Sequence, residues 1–104
     1  MKDYKEILQN NIKIIEHYGI KAQIPIWIEE MSELTKNLCK WLRNYDKLNE
    51  NINLQLKTDI EEEIADVTIC LDQLKYSIQY AEDNLIAEYN YKINRQLERI
   101  KNEG

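Results

Sequence analysis

An amphipathic helical pattern runs through IEEEIADVTICLDQLKYSI, residues 60–78. At about 100° of rotation per residue, six of its apolar positions fall on one arc that is roughly 80° wide. They are Ile60, Ile64, Val67, Leu71, Leu74 and Ile78. Glu63 borders this arc, and Asp66 lies about 60° beyond it. The segment predicts a helix that buries one face and holds two carboxylates beside that face.

A second acidic motif, Glu29-Glu30-Met31-Ser32-Glu33, has the same construction. On a helical wheel Glu30 borders an apolar arc, and Glu33 lies about 60° further out. The arc consists of Trp27, Met31, Leu34, Leu38, Trp41 and Leu42. If the apolar faces of the two helices pack together, Glu30, Glu33, Glu63 and Asp66 are expected at the rim of one groove.

Four carboxylates at one place require protons or a cation. Two like charges about 4 Å apart cost roughly 4 kcal/mol at an effective dielectric constant near 20. Ligands that are all oxygen suit a hard ion such as Mg²⁺, with Mn²⁺ as a possible substitute. The pattern therefore predicts a divalent metal site. The alternative is ordinary surface charge on a helical protein.

The spacing Glu29-Glu30-x-x-Glu33, followed by Glu63-x-x-Asp66, resembles the signature of the MazG-like nucleoside triphosphate pyrophosphohydrolases. The resemblance covers most of the chain, from about Ala22 to about Arg99. It implies an all-α, four-helix bundle that forms dimers or tetramers. It also implies hydrolysis of a nucleoside triphosphate to the monophosphate and pyrophosphate.

The resemblance also implies roles for individual residues. Mg²⁺ is assigned to Glu30, Glu33, Glu63 and Asp66, and all four are catalytic candidates together with Glu29. Glu29 or Glu62 could orient or deprotonate the attacking water, although both also suit simple solvated positions.

Nucleotide-binding candidates lie outside the acidic motifs. Lys92 and Arg95, with Arg99 one turn later, resemble the phosphate-contacting segment near the C-terminus of the family. Solvent-exposed pairs with Glu88 and Glu98 are the alternative for these cations. Trp41 lies beside Glu30 on the helical wheel, and its ring offers a stacking face for a base. Packing in the core is the alternative role for this ring.

Composition narrows the class of protein. The chain has 104 residues and a formal charge of -5, which predicts one domain, residues 1–104, and argues against binding a nucleic-acid polymer. We expect no membrane association and a cytoplasmic location, because no apolar run is long enough to span a bilayer. Cys39 and Cys70 lack zinc-site spacing, so both are expected to be small, at least half-buried side chains.

Helical periodicity, together with residues that typically start or end helices, predicts four helices, at residues 3–18, 25–44, 58–81 and 84–101. Gly19 is expected to end the first helix, and Pro25 to lie in the first turn of the second. The asparagine-rich segment Asn44–Lys57 reads as a loop. Thr58-Asp59-Ile60-Glu61 matches a capping box at the start of the third helix. The fourth helix is expected to turn Leu85, Tyr89, Ile93, Leu97 and Ile100 inward.

A narrower apolar stripe on the third helix, formed by Ile69, Tyr76 and Tyr80, predicts a contact surface for a homodimer or homotetramer. Two other functional classes stay open. One is a non-catalytic regulatory module whose acidic cluster senses a metal or a nucleotide. The other is a helical interaction protein without a ligand.

Overall fold

The computed structural model describes the backbone of residues 3–45 and 50–104, and the side chains of residues 3–45 and 54–104. Within these ranges the chain forms four helices and no strand. The helices are α1 (Tyr4–Tyr18), α2 (Ile20–Arg43), α3 (Glu50–Ser77) and α4 (Glu82–Glu103). The predicted all-α class with four helices is confirmed. In the described part of the chain, every helix is too short or too polar to cross a bilayer.

The joint between α1 and α2 is a single residue, Gly19. Its φ of 87° is the left-handed conformation that glycine adopts without strain, and its N–H donates to the Ile15 carbonyl at 2.7 Å. The predicted end of α1 is confirmed. The Gly19 carbonyl also accepts the Gln23 N–H at 3.1 Å, so α2 begins at once. The predicted start of α2 at Pro25 is therefore wrong, because Pro25 lies inside the helix.

Helix α3 begins earlier than the sequence predicts. It starts at Glu50, so the expected loop is wrong for residues 50–57, and residues 46–49 lie outside the described part. Thr58 does not cap the helix, because its hydroxyl donates to the Leu54 carbonyl one turn earlier. Leu56 is buried, and this burial offsets the weak helix propensity of the polar segment.

Helices α1, α2 and α3 pack against one another, and α2 with α3 forms the most extensive contact. The buried apolar side chains are Ile15, Trp27, Leu56 and Cys70. Three polar side chains are buried among them, one from each helix, and hydrogen bonds between them join all three helices. They are Asn11 on α1, Gln23 on α2 and Gln73 on α3.

Helix α4 does not pack on the rest of its own chain. It makes no contact with α1, α2 or the described part of α3, and every residue from 82 to 104 is exposed. The expectation that its apolar stripe turns inward is wrong within a single chain. The chain leaves α3 through a turn in which Gln79 has a φ of 52°, and the other three helices pack together without α4.

Candidate metal centre

Three carboxylates from two helices meet where α2 packs on α3. Glu30 comes from α2, and Glu63 and Asp66 come from successive turns of α3. Each offers an oxygen that lies within 4.8 Å of an oxygen from the other two. All three residues are half-buried. The structure thus brings together three of the four carboxylates that the sequence selected.

The fourth predicted ligand, Glu33, is half-buried one turn after Glu30 but does not belong to this close group. Its role as a ligand stays a prediction. Glu29 and Glu62 are the two candidates for orienting or deprotonating the attacking water. Each directly precedes a residue of the cluster in the sequence, and both are exposed to solvent. Neither of them belongs to the close group of carboxylates.

The surroundings of Glu30 favour its protonated form. Burial is the largest cause. A hydrogen bond with Asp66, the negative charges of Asp66 and Glu63, and a hydrogen bond with Glu63 add to it. Together they raise the pKa of Glu30 from about 4.5 to about 7. Burial and the repulsion between neighbouring negative charges therefore oppose the ionisation of all three carboxylates at once. A bound divalent cation would reverse this preference, because metal binding requires the ionised ligand.

One oxygen of the cluster has no hydrogen-bond partner among the described residues. Glu63 Oε2 is buried and unpaired. A buried polar atom without a partner costs about 1 to 3 kcal/mol, and more when it carries charge. This atom lies in an all-oxygen cluster, and hard cations are bound by such oxygens. By their chemistry, the residues present can hold a divalent ion.

Cys70 is buried one turn after Asp66. Burial raises the pKa of its thiol, and the negative charges of Glu30 and Asp66 raise it further. The thiol therefore stays protonated and is a poor nucleophile. The prediction of a small buried side chain is confirmed for Cys70 and is wrong for Cys39, which is exposed. Both cysteines are free.

Trp41 lines an open cleft of about 400 Å³ together with residues of α3. The other lining residues are Leu56, Lys57, Ile60, Glu61 and Ile64. Ile60 and Ile64 lie within one turn of Glu63 on α3, although none of the three clustered carboxylates lines the cleft. Trp41 is 44% exposed, which leaves part of its ring free for a ligand.

The predicted phosphate-binding cations are not near the cluster within one chain. Lys92 and Arg95 lie on α4, which makes no contact with the described part of the α2–α3 pair. The guanidinium of Arg95 lies over the ring of Tyr91, 5.8 Å from its centroid. Any role of these two residues at the carboxylates requires another copy of the chain.

The predicted dimer stripe borders α1. Tyr76 and Tyr80 line an open groove of about 310 Å³ together with Tyr4, Ile7 and Leu8 of α1. The Lys75 ammonium lies 5.6 Å from the centroid of the Tyr80 ring. Ile69 is exposed. The stripe as a contact surface stays a prediction.

Sequence reasoning missed the buried polar side chains that fix α2 against α3. Gln73 Oε1 accepts hydrogen bonds from Gln23 Nε2 at 3.0 Å and from Trp27 Nε1 at 2.8 Å. Gln73 Nε2 donates to Asn11 Oδ1 at 3.2 Å. Trp27 precedes Glu30 by one turn, so these bonds hold the register that brings the carboxylates together. A signal was present, because Gln23 falls within the apolar arc of α2 by helical angle.

Searches against protein-family models, curated proteins and solved structures found no match. The MazG-like resemblance therefore rests on the two acidic motifs alone.

Proposed function

We propose that this chain is a Mg²⁺-dependent nucleoside triphosphate pyrophosphohydrolase of the MazG-like type, which releases a nucleoside monophosphate and pyrophosphate. The observation that supports this function best is the convergence of Glu30, Glu63 and Asp66 from two helices. The unpaired Glu63 oxygen adds to it. Together they give the described part of the chain an all-oxygen donor set with one buried, unpaired atom.

In this proposal Glu30, Glu63 and Asp66 hold the ion, and Glu33 contributes from the next turn. When bound, Mg²⁺ or Mn²⁺ would neutralise phosphate charge and lower the pKa of a bound water. Glu30 would have to be ionised to hold the ion, because metal binding requires the deprotonated carboxylate. The exposed Glu29 or Glu62 accepts a proton from the attacking water.

The cleft beside Trp41 suits the base of the nucleotide. Its walls are mainly apolar. An indole face can stack on any planar base, because stacking does not depend on the hydrogen-bonding edge that distinguishes one base from another. Lys57 and Glu61 are the polar groups at this cleft. Lys92 and Arg95 bind the phosphates only if α4 comes from another copy, so the proposal includes a homodimer or homotetramer. We place the protein in the cytoplasm, where free cysteines stay reduced.

Two measurements test the proposal. The first is release of pyrophosphate from a panel of nucleoside triphosphates, with diphosphates included, in Mg²⁺ and in Mn²⁺. The second repeats the assay with Glu63→Gln, which keeps the shape of the side chain and removes its charge. Glu16→Gln on α1 is the matched control, because the same change is made at an exposed residue.

We expect metal-dependent release by the unaltered chain and by Glu16→Gln, and its loss in Glu63→Gln. Release that continues in Glu63→Gln would remove this carboxylate from the mechanism.

The second candidate is a non-catalytic regulatory module that uses the same cluster to sense a metal or a nucleotide. The same carboxylates favour it, since binding needs no turnover. Mn²⁺ titration by calorimetry that shows binding, combined with no pyrophosphate release from any nucleotide, would select this candidate. No Mn²⁺ binding at all would leave a helical interaction protein without a ligand.

A further inference from the structure

Helix α4 carries a broad apolar stripe that nothing in the described part of its own chain covers. At about 100° per residue, the stripe spans roughly 120° of the helix surface. It consists of Leu85, Ile86, Tyr89, Ile93, Leu97 and Ile100, which are 40% to 66% exposed. Most helical stability in proteins comes from packing an apolar face. The stripe therefore requires a partner.

The pair formed by α2 and α3 has an open apolar face of its own. On α3 the uncovered residues include Ile64 and Leu71, and Ile78 follows directly after the helix; all three are 42% to 66% exposed. On α2 they are Ile24, Ile28, Leu38 and Leu42, at 43% to 78% exposure. On both helices these residues lie to one side of the buried contact. Helix α1 contacts the other side of α3, where Asn11 bonds to Gln73.

We infer that α4 of one copy packs on the open α2–α3 face of a second copy, and that the second copy returns the same contact. The occupant is thus this chain itself. This arrangement specifies the interface of the homo-oligomer proposed above, and it does not depend on catalysis. A reciprocal exchange covers the stripe of each α4 and the open face of each helix pair at the same time, as a two-fold interface requires.

The shape of the stripe favours a helix pair as its partner over a second α4. A two-stranded coiled coil uses a narrow seam of a and d positions. In α4 the a positions would be Ile86, Ile93 and Ile100, but the d positions would include Gln96 and Glu103. Polar d positions weaken such a seam. A stripe of 120° is instead typical of a helix that lies in the groove between two others.

Area and charge agree with the exchange. A helix of 22 residues is about 33 Å long and about 10 Å wide, so two reciprocal contacts remove roughly 1,300 Å² from water. Stable interfaces bury about 1,200 to 2,000 Å².

The charges of the two surfaces are opposite in sign. Residues 90–104 contain two acidic residues and four basic ones, Lys92, Arg95, Arg99 and Lys101. Between Asp59 and Asp66, α3 carries five acidic residues and no basic one.

Sedimentation of the full chain at micromolar concentration, without metal or nucleotide, tests the exchange. We expect at least two chains of 12.5 kDa per particle. Ile93→Asp places a charge in the stripe and Leu38→Asp places one on the open face. Each should raise the dissociation constant at least about 100-fold. Asn94→Asp is the matched control, because it adds the same charge about 120° from the centre of the stripe, and it should associate normally.

The two variants also separate the exchange from other pairings. Mixed together, Ile93→Asp and Leu38→Asp should form a heterodimer, because one supplies an intact α4 and the other an intact open face. Circular dichroism of each variant verifies that the helices are folded. Monomeric unaltered chain would overturn the inference. So would association of Leu38→Asp alone, which α4–α4 pairing predicts, or of Ile93→Asp alone, which pairing of two open faces predicts.

Discussion

The indole N–H of Trp27 donates to the side-chain oxygen of Gln73 at 2.8 Å, and this bond joins α2 to α3 inside the protein. The same oxygen accepts from Gln23, and the Gln73 amide nitrogen reaches Asn11 on α1. One glutamine thus connects all three packed helices. Since an apolar contact tolerates sliding and a hydrogen bond does not, Gln73 sets the register in which Glu30 meets Glu63 and Asp66.

Replacing Gln73 by leucine should destabilise the protein by about 2 to 4 kcal/mol. The change leaves the buried polar groups of Asn11, Gln23 and Trp27 without their partner, and each such group costs about 1 to 3 kcal/mol, partly offset by the apolar side chain. Urea unfolding followed by circular dichroism measures the effect. Gln9→Leu at an exposed position of α1 is the control and should change the free energy of unfolding by less than about 0.5 kcal/mol. Equal effects of the two changes would contradict the role of Gln73.

Much of the fold follows from sequence patterns that act locally. The end of α1 was predictable because Gly19 is one of only two glycines and stands directly after a helical pattern. The convergence of Glu30 with Glu63 and Asp66 was predictable because Glu30 and Glu63 each border an apolar arc and Asp66 follows Glu63 by one turn. The arcs are only partly buried between α2 and α3, and residues such as Leu42 and Ile64 stay exposed. Each of these features depends on a few residues and on helical geometry.

The errors come from tertiary effects that override local preference. Pro25 is tolerated inside α2 because Gly19 starts the helix early and proline removes only one backbone bond. Thr58 lies within α3 because burial of Leu56 extends the helix through a polar segment. The stripe of α4 was correctly recognised as apolar, but periodicity shows that a face must be covered and not which chain covers it.

Replacing Pro25 by alanine should stabilise the protein by about 1 to 2 kcal/mol. Alanine restores the backbone N–H that can donate to the Lys21 carbonyl and removes the clash of the ring with that turn, while greater freedom of the unfolded chain offsets part of the gain. Pro25 is exposed, so the change leaves no cavity. The urea midpoint should rise. A lower midpoint would mean that the proline makes a favourable bend in α2.

Glu63→Gln should weaken Mn²⁺ binding more than Glu33→Gln does. Glu63 lies in the close group with Glu30 and Asp66 and has the unpaired oxygen, whereas Glu33 lies one turn away. We expect a loss of at least about 100-fold for Glu63→Gln and about 10-fold or less for Glu33→Gln. Calorimetric titration measures both, and Glu16→Gln is the control for the loss of one charge. A larger effect at Glu33 would place the ion further along α2.

Stability without divalent ions should fall as pH rises from about 4.5 to about 7. These are the ordinary pKa of Glu30 and its raised pKa in the folded chain, where burial and the neighbouring acids favour the proton. Because the folded state binds this proton more tightly than the unfolded state, its contribution is complete below about 4.5 and is lost as pH passes 7. Mn²⁺ should oppose the loss, since the ion binds the carboxylate after the proton leaves. Urea midpoints measured across this range with and without Mn²⁺ test both statements, and Glu30→Gln should abolish most of the pH dependence in that window. An unchanged pH dependence in Glu30→Gln would assign it to another group.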